Sequence, residues 1–389
     1  MRLLAAVVVL QLLVVLLVCF LAWHDPLTPT GVTLHGARYL ADNFDRLSYL
    51  YRGQWAVMGG VPYRSHYSDY PLLMTLYYGL PFLLTREPRL LMMFLPLTNL
   101  LWLLLLLAGS VRLARSHLPL AGFWLLPTTA YFVANRFDII PIALVAAALL
   151  LLARRHFLTS AALLALAINV KWYPAVMLLP VLMHLRTQGI PGRALLRFVA
   201  VIVVVTLALH AAGWLLAGSA SLDPYRFHAV RPDEPAALAG ALLALGGDGL
   251  RWCCLSPGTI AGVMVPALLT LLFWGAAILL PLRWPARTMP ALVAQAAACC
   301  LLLIAGSRIY SPQWFLWYCS LAALSLSTRR DTLLLAAVSL ASYVRFPVLF
   351  DLIGDGQPYA AWSLLIWLLN FLLLARLLRF STNPHPGSS

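Results

Sequence analysis

Apolar runs of about twenty residues recur along this 389-residue chain, and they constrain its fold more than any other feature. Residues 3–23, 90–110, 197–217, 258–282 and 360–378 each approach or exceed the ~20 residues that a bilayer-crossing helix needs. A soluble globule could not hide such runs. Hydrophobic residues make up 62% of the chain and charged ones 10%, against roughly 45–50% and about 25% in soluble domains. The expected fold is therefore an all-α polytopic membrane protein, a single transmembrane domain over residues 1–380 with a short cytoplasmic tail at 381–389. The first 23 residues read as a retained helix, because they outrun a signal-peptide core and no small-residue cleavage site follows.

The net charge of +14 could point to nucleic acid, but the arginines stand in short loops between apolar runs, where membrane orientation accounts for them. No nucleic-acid partner is expected. Only one of the 27 basic residues is a lysine, Lys171. The six cysteines, with the neighbours Cys253/Cys254 and Cys299/Cys300, lack metal-ligand spacing and read as packing residues.

The basic loops at 112–116, 153–156, 185–193, 283–287 and 328–331 mark the cytoplasmic side. With both termini inside, parity then gives about twelve crossings, the five long runs joined by spans near 118–134, 138–153, 157–170, 173–185, 289–306, 314–327 and 332–350, with outer loops at 24–89 and 218–257. The apolar stretch 71–84 is too short to span and reads as an interfacial or re-entrant helix of the first outer loop. On this map every acid but Asp331 faces outward, so the outer side is the place for chemistry.

In the first outer loop Asp42 and Asp45 stand one helical turn apart, able to share one face as an acid/base pair, or else to pair with Arg46 or Arg52 at a solvated helix start. Farther along, the turn GGVPY brings Tyr63, and RSHYSDYP brings Arg64, Asp69 and Tyr70. Three more segments place polar groups at helix ends: NRFD with Asn135, Arg136 and Asp138; KWYP with Lys171 and Tyr173; and SRIYSPQW with Arg308, Tyr310 and Gln313. Ionisable groups at membrane depth mark a pathway or a site, with snorkelling to the headgroups as the alternative for Lys171, Arg136 and Arg308. Carboxylates beside cations and aromatic rings suit an anionic lipid substrate and a proton transfer.

The order Asp, GG-x-PY, YP, N-x-x-D, KWYP and YSPQWFLWY, over about residues 1–330, resembles the GT-C superfamily. More specifically it resembles the glycosyltransferase 87 (DUF2029) mannosyltransferases and, more distantly, the catalytic subunit of GPI mannosyltransferase I. The resemblance implies a GT-C membrane fold, a polyprenyl-phosphate sugar as donor, and inversion at the anomeric carbon. Asp45 matches the family's catalytic carboxylate, with Asp42 as second candidate. The GPI relative has D-x-D where this chain has D-x-x-D, so no metal is assigned and a divalent cation stays an open alternative. The function expected is transfer of a hexose, by resemblance mannose, from a polyprenyl-phosphate donor to a lipid or glycan acceptor at the outer face of a bacterial cytoplasmic membrane. A transporter or flippase of a lipid-linked sugar is the alternative, with membrane lipids as neighbours in either case.

Overall fold

The computed structural model describes residues 2–24, 39–231, 234–245, 260–353 and 357–382. The expectations for Cys253/Cys254, for parts of both outer loops and for residues 383–389 lie outside the described residues. In chain order the helices are α1 (Arg2–His24), α2 (Asn43–Gly53), α3 (Leu72–Leu84), α4 (Pro88–Leu113), α5 (His117–Trp124), α6 (Pro127–Asn135), α7 (Ile139–Ala153), α8 (Phe157–Val170) and α9 (Leu178–Thr187). There follow α10 (Gly192–Ala217), α11 (Asp223–Val230), α12 (Leu238–Leu245), α13 (Ile260–Arg283), α14 (Met289–Ala305), α15 (Phe315–Ser325), α16 (Arg329–Tyr343), α17 (Phe350–Ile353) and α18 (Gln357–Thr382). No strand forms among the described residues.

Six stretches are long and apolar enough to cross a membrane: α1, α4, α10 running on into α11, most of α13, α16 running on through α17, and most of α18. The pair α6 and α7 makes a seventh if read as one span, bent by 105° between Asn135 and Ile139. Shorter apolar helices, α3, α8 and α14, add to these. The leucines along α10 and α13, such as Leu207 at 62% and Leu271 at 73% exposure, present apolar surface that suits lipid rather than water. The chain is an all-α, multi-pass membrane protein.

Several expected spans are interrupted for legible reasons. The run 118–134 divides after Trp124 because Pro127 opens a new helix, a position at which a missing N–H costs nothing. The run 173–185 begins as a tight turn over Tyr173–Met177, which contains Pro174, before α9 starts. Residues 344–349 form a kink between α16 and α17, where Phe346 leaves helical backbone and Pro347 follows. α18 continues to Thr382, two residues into the expected tail.

The chain divides into two compact units. The first comprises residues 1–112, 129–174 and 196–231. In it Val15, Val18 and Cys19 of α1 pack with Ala41 and Ala134, which seats the segment before α2 against the end of α6. α7 lies along α8, and α2 lies along α3. The α2/α3 contact depends on Gly53: a Cβ there would stand 2.0 Å from the Tyr78 carbonyl oxygen. Gly53→Ala should therefore lower unfolding stability, at the upper end of the ~1–3 kcal/mol usual for overpacking. Gly109→Ala on α4 is the control, since its Cβ would meet only Leu150 Cδ2 at 3.9 Å; helix propensity alone favours alanine at either position. Thermal unfolding of the two variants in detergent checks this, and equal stabilities would refute the close approach.

The second unit comprises residues 113–128, 175–195 and 232–389. α14 and α15 are buried along almost their whole length. Thr328 and Asp331 form a capping box at the start of α16, and Asp331 Oδ1 receives Arg376 Nε at 3.0 Å and Nη2 at 2.9 Å from α18.

Candidate active site

The carboxylates of the first outer loop are placed by the start of α2. Asp42 is the N-cap, its Oδ1 accepting the Phe44 backbone N–H at 3.0 Å. Its own N–H donates to Asn135 Oδ1 at 2.9 Å, and Asn135 Nδ2 donates to the Leu40 carbonyl at 2.8 Å. The end of α6 is in this way stitched to the start of α2. Asp45 then lies in the first turn, on the same helical face.

Arg136, in the bend between α6 and α7, answers both carboxylates. Its Nη2 donates to Asp42 Oδ2 at 2.9 Å, and its Nη1 is ion-paired with Asp45 Oδ2. The sequence offered Arg46 or Arg52 as partners, and neither takes that part: Arg46 Nε donates to the Asp42 backbone carbonyl at 3.3 Å, while Arg52 pairs with Asp69. A guanidinium distant in sequence wins because helix-surface pairs are worth little, whereas burying Arg136 unpaired would be costly. The bend itself is held from α4, where Asn99 Nδ2 donates to Val133 O at 2.8 Å and Arg136 O at 2.7 Å.

Two residues on, Asp138 is wholly buried and receives Lys171 Nζ at 2.7 Å. Lys171 also stands 4.7 Å from the centroid of the Phe137 ring, a cation–π contact. Aromatic rings wall this space: Phe137, Tyr70, Tyr78 and Tyr49 form a cluster with centroids 5.0–6.0 Å apart. Arg52 lies 5.4 Å from the centroid of the Tyr70 ring, and Tyr63 OH donates to the Tyr70 carbonyl at 2.9 Å. Tyr63 has positive φ (68°), the backbone cost of the GGVPY turn. Tyr173 is buried in the same unit, and Arg64 is exposed on the loop.

The two acids differ in what remains available to a substrate. Both Asp42 oxygens are engaged, Oδ1 by Phe44 and Oδ2 by Arg136 and by Tyr131 OH at 3.3 Å. Asp45 uses Oδ2 for Arg136 and is the more exposed of the pair, 27% against 16% for the side chains. Its Oδ1 accepts no hydrogen bond among the described residues. Partial removal from water lifts the Asp45 carboxyl above its usual value; Arg136 opposes this and the Asp42 carboxylate adds to it. Of the two carboxylates, Asp45 keeps the oxygen that is open among the described residues.

Among the described residues no group of three or more His, Cys, Asp or Glu side chains converges as metal ligands do. The pair Asp42/Asp45 is bridged by a guanidinium instead.

The structure thus brings together Asp42, Asp45, Asn135, Arg136, Asp138, Lys171, Asp69, Tyr70 and Tyr63. Arg308, Tyr310 and Gln313 belong to the second unit: Tyr310 and Gln313 are buried, Arg308 is exposed, and the Tyr310 N–H donates to Glu234 Oε2 at 2.9 Å. Sequence reasoning missed Tyr49, Arg52, Tyr78, Tyr131, Phe137 and Asn99 as parts of the site. Tyr49 and Arg52 carried a signal, since they follow Asp45 at helical spacings of four and seven on one face.

No curated protein matches the chain. The family model described as glycosyltransferase family 87 matches residues 69–312, more than half of the chain. That stretch contains Asp69, Tyr70, Asn135, Arg136, Asp138, Lys171, Tyr173, Arg308 and Tyr310, while Asp42, Asp45, Tyr63 and Arg64 precede it and Gln313 follows it. A buried, aromatic-walled cluster of carboxylates and cations in a multi-pass membrane protein agrees with that match, and the chain belongs to glycosyltransferase family 87.

Proposed function

We propose that the protein transfers a hexose, mannose by family resemblance, from a polyprenyl-phosphate sugar to a hydroxyl of a lipid or glycan acceptor, at the outer face of a bacterial cytoplasmic membrane. The observation that carries this reading is Asp45: a carboxylate with one oxygen fixed by Arg136, the other without a partner among the described residues, and a raised proton affinity. In a single displacement the acceptor oxygen attacks the anomeric carbon as its proton passes to Asp45 Oδ1. The bond from that carbon to the phosphate oxygen breaks, and the phosphate leaves with the electron pair. A phosphate needs no acid to depart if cations hold it, so one carboxylate suffices. Four cations are candidates for that role: Lys171, Arg136 and Arg64 stand in the unit that holds Asp45, and Arg308 stands in the other.

A lipid donor is supported by a groove of about 560 Å³ in the first unit. Its walls are largely apolar, from Leu72, Leu207, Trp214 and Leu222, with Tyr63 and Tyr225 at its polar edge. Tyr63 links this groove to Tyr70 of the aromatic cluster.

The test is transfer of labelled mannose to endogenous lipids in membranes carrying the protein, with polyprenyl-phosphate mannose or a nucleotide sugar as donor. Transfer from the lipid donor alone is expected. Its rate should rise with pH through an ionisation above the usual carboxylate value of ~4, because Asp45 must be unprotonated to act as a base. Asp42→Asn, which removes a charge that raises Asp45, should move that rise to lower pH. Transfer from the nucleotide sugar alone would overturn the donor assignment, and a rate flat across pH 4–7 would remove Asp45 as the base.

A further inference from the structure

In the second unit one cation takes no part in the chemistry described so far. At the end of α16 the chain enters a kinked turn, Val344–Leu349, within which Phe346 leaves helical backbone (φ −140°, ψ 125°). Arg345 in this turn is 0% exposed. Its guanidinium lies 4.5 Å from the centroid of the Tyr310 ring and 5.7 Å from that of Tyr359. Nε, Nη1 and Nη2 have no hydrogen-bond partner, and no ion pair forms to Arg345 among the described residues.

Arg46, also buried, donates Nε to the Asp42 carbonyl, and two further cations of low exposure meet carboxylates. Arg136 faces two carboxylates, and Lys171 faces Asp138. Two aromatic faces return only part of what desolvating a guanidinium costs, so five N–H donors held in this way call for an anion. The planar fork suits two oxygens of one group.

Depth identifies the anion. Arg345 lies sixteen positions beyond Arg329 in a candidate membrane span, about 24 Å along a helix. The hydrocarbon layer is ~30 Å thick, so Arg345 approaches the level of lipid headgroups on the side opposite Arg329. Tyr310 and, against it at 5.5 Å, Trp367 supply apolar ring surface beside the charge.

We propose that Arg345 holds the phosphate of a lipid, gripping two of its oxygens with the guanidinium fork. The lipid is a polyprenyl phosphate or a glycerophospholipid, which share this chemistry. The proposal does not rest on sugar transfer, and its test does not read it.

The full-length protein is purified in detergent and incubated with undecaprenyl phosphate, phosphatidylglycerol or dioleoylglycerol, and bound lipids are counted by native mass spectrometry. Arg345→Met, which replaces a buried cation by an apolar chain of similar length, should bind one phosphate-bearing lipid fewer than wild type. Arg345→Lys, which keeps the charge but not the fork, should bind on the order of tenfold more weakly and carries the test if the methionine variant does not fold. Dioleoylglycerol should bind alike to all three. A difference with undecaprenyl phosphate alone identifies the carrier lipid, and one with phosphatidylglycerol as well identifies phospholipid headgroups; either supports the proposal. Equal occupancy and affinity of wild type and the folded variants for both phosphate lipids would overturn it. So would an equal loss of dioleoylglycerol, since phosphate would then not be what is read.

Discussion

Asp45→Asn is expected to slow sugar transfer by ~100- to 10,000-fold, the usual effect of losing a general base, while α2 and its surroundings stay in place. The amide is the same size and can still present its oxygen to Arg136, which keeps its ion pair with Asp42, while the charge and the proton acceptor of Asp45 are lost. Asp42→Ala provides the contrast. That residue caps α2, and its Oδ2 receives both Arg136 and Tyr131. Its loss should appear first as a stability change, about 0.5–2 kcal/mol for the cap, with activity falling as Arg136 shifts. Initial rates of labelled-sugar transfer at matched protein amounts, beside thermal unfolding in detergent, separate the two. A turnover for Asp45→Asn within tenfold of wild type would remove it as the base.

Lys171→Met should be the most destabilising single change in the site. Asp138 has a side chain of 0% exposure, and Lys171 Nζ is its ion-pair partner at 2.7 Å. Removing one member of a buried ion pair costs ~3–5 kcal/mol. The double variant Lys171→Met/Asp138→Leu should recover much of that stability, because both charges are gone, and should still fail in transfer if Lys171 serves the leaving phosphate. Chemical unfolding of the four proteins completes the cycle. If the losses simply add, the pair is not coupled and the destabilisation has another source.

The membrane class was legible from the sequence because it rests on run length and composition, which need no tertiary knowledge. The residue types of the site were legible too, since charges are scarce in this chain and each one is conspicuous: Asp42, Asp45, Arg136, Asp138 and Lys171 all stood out. Their pairing was not. Spacing along α2 suggested Arg46 or Arg52 for the two carboxylates, yet the partner is Arg136, some ninety positions away. Only the fold decides which buried charges meet, and neutralising a buried charge outweighs a helix-surface pair. The interruptions of the apolar runs escaped for a related reason: Pro127, Pro174 and Pro347 were visible, but proline is tolerated within crossing helices when neighbours satisfy the freed groups. Arg345 was passed over because a lone arginine in an apolar run has no motif. Its burial and its lack of partners are properties of the fold alone.

Through the two hydrogen bonds from Asn99, bilayer thickness is expected to bear on the bend that carries Arg136. Asn99 sits within α4, a membrane-span candidate of 26 residues, and grips the carbonyl of Arg136 itself. A crossing helix adjusts its tilt when the hydrocarbon around it thickens or thins. A change in the tilt of α4 is passed through one side-chain amide to the residue that holds Asp42 and Asp45, so acyl-chain length in the host membrane sets how that grip is aligned.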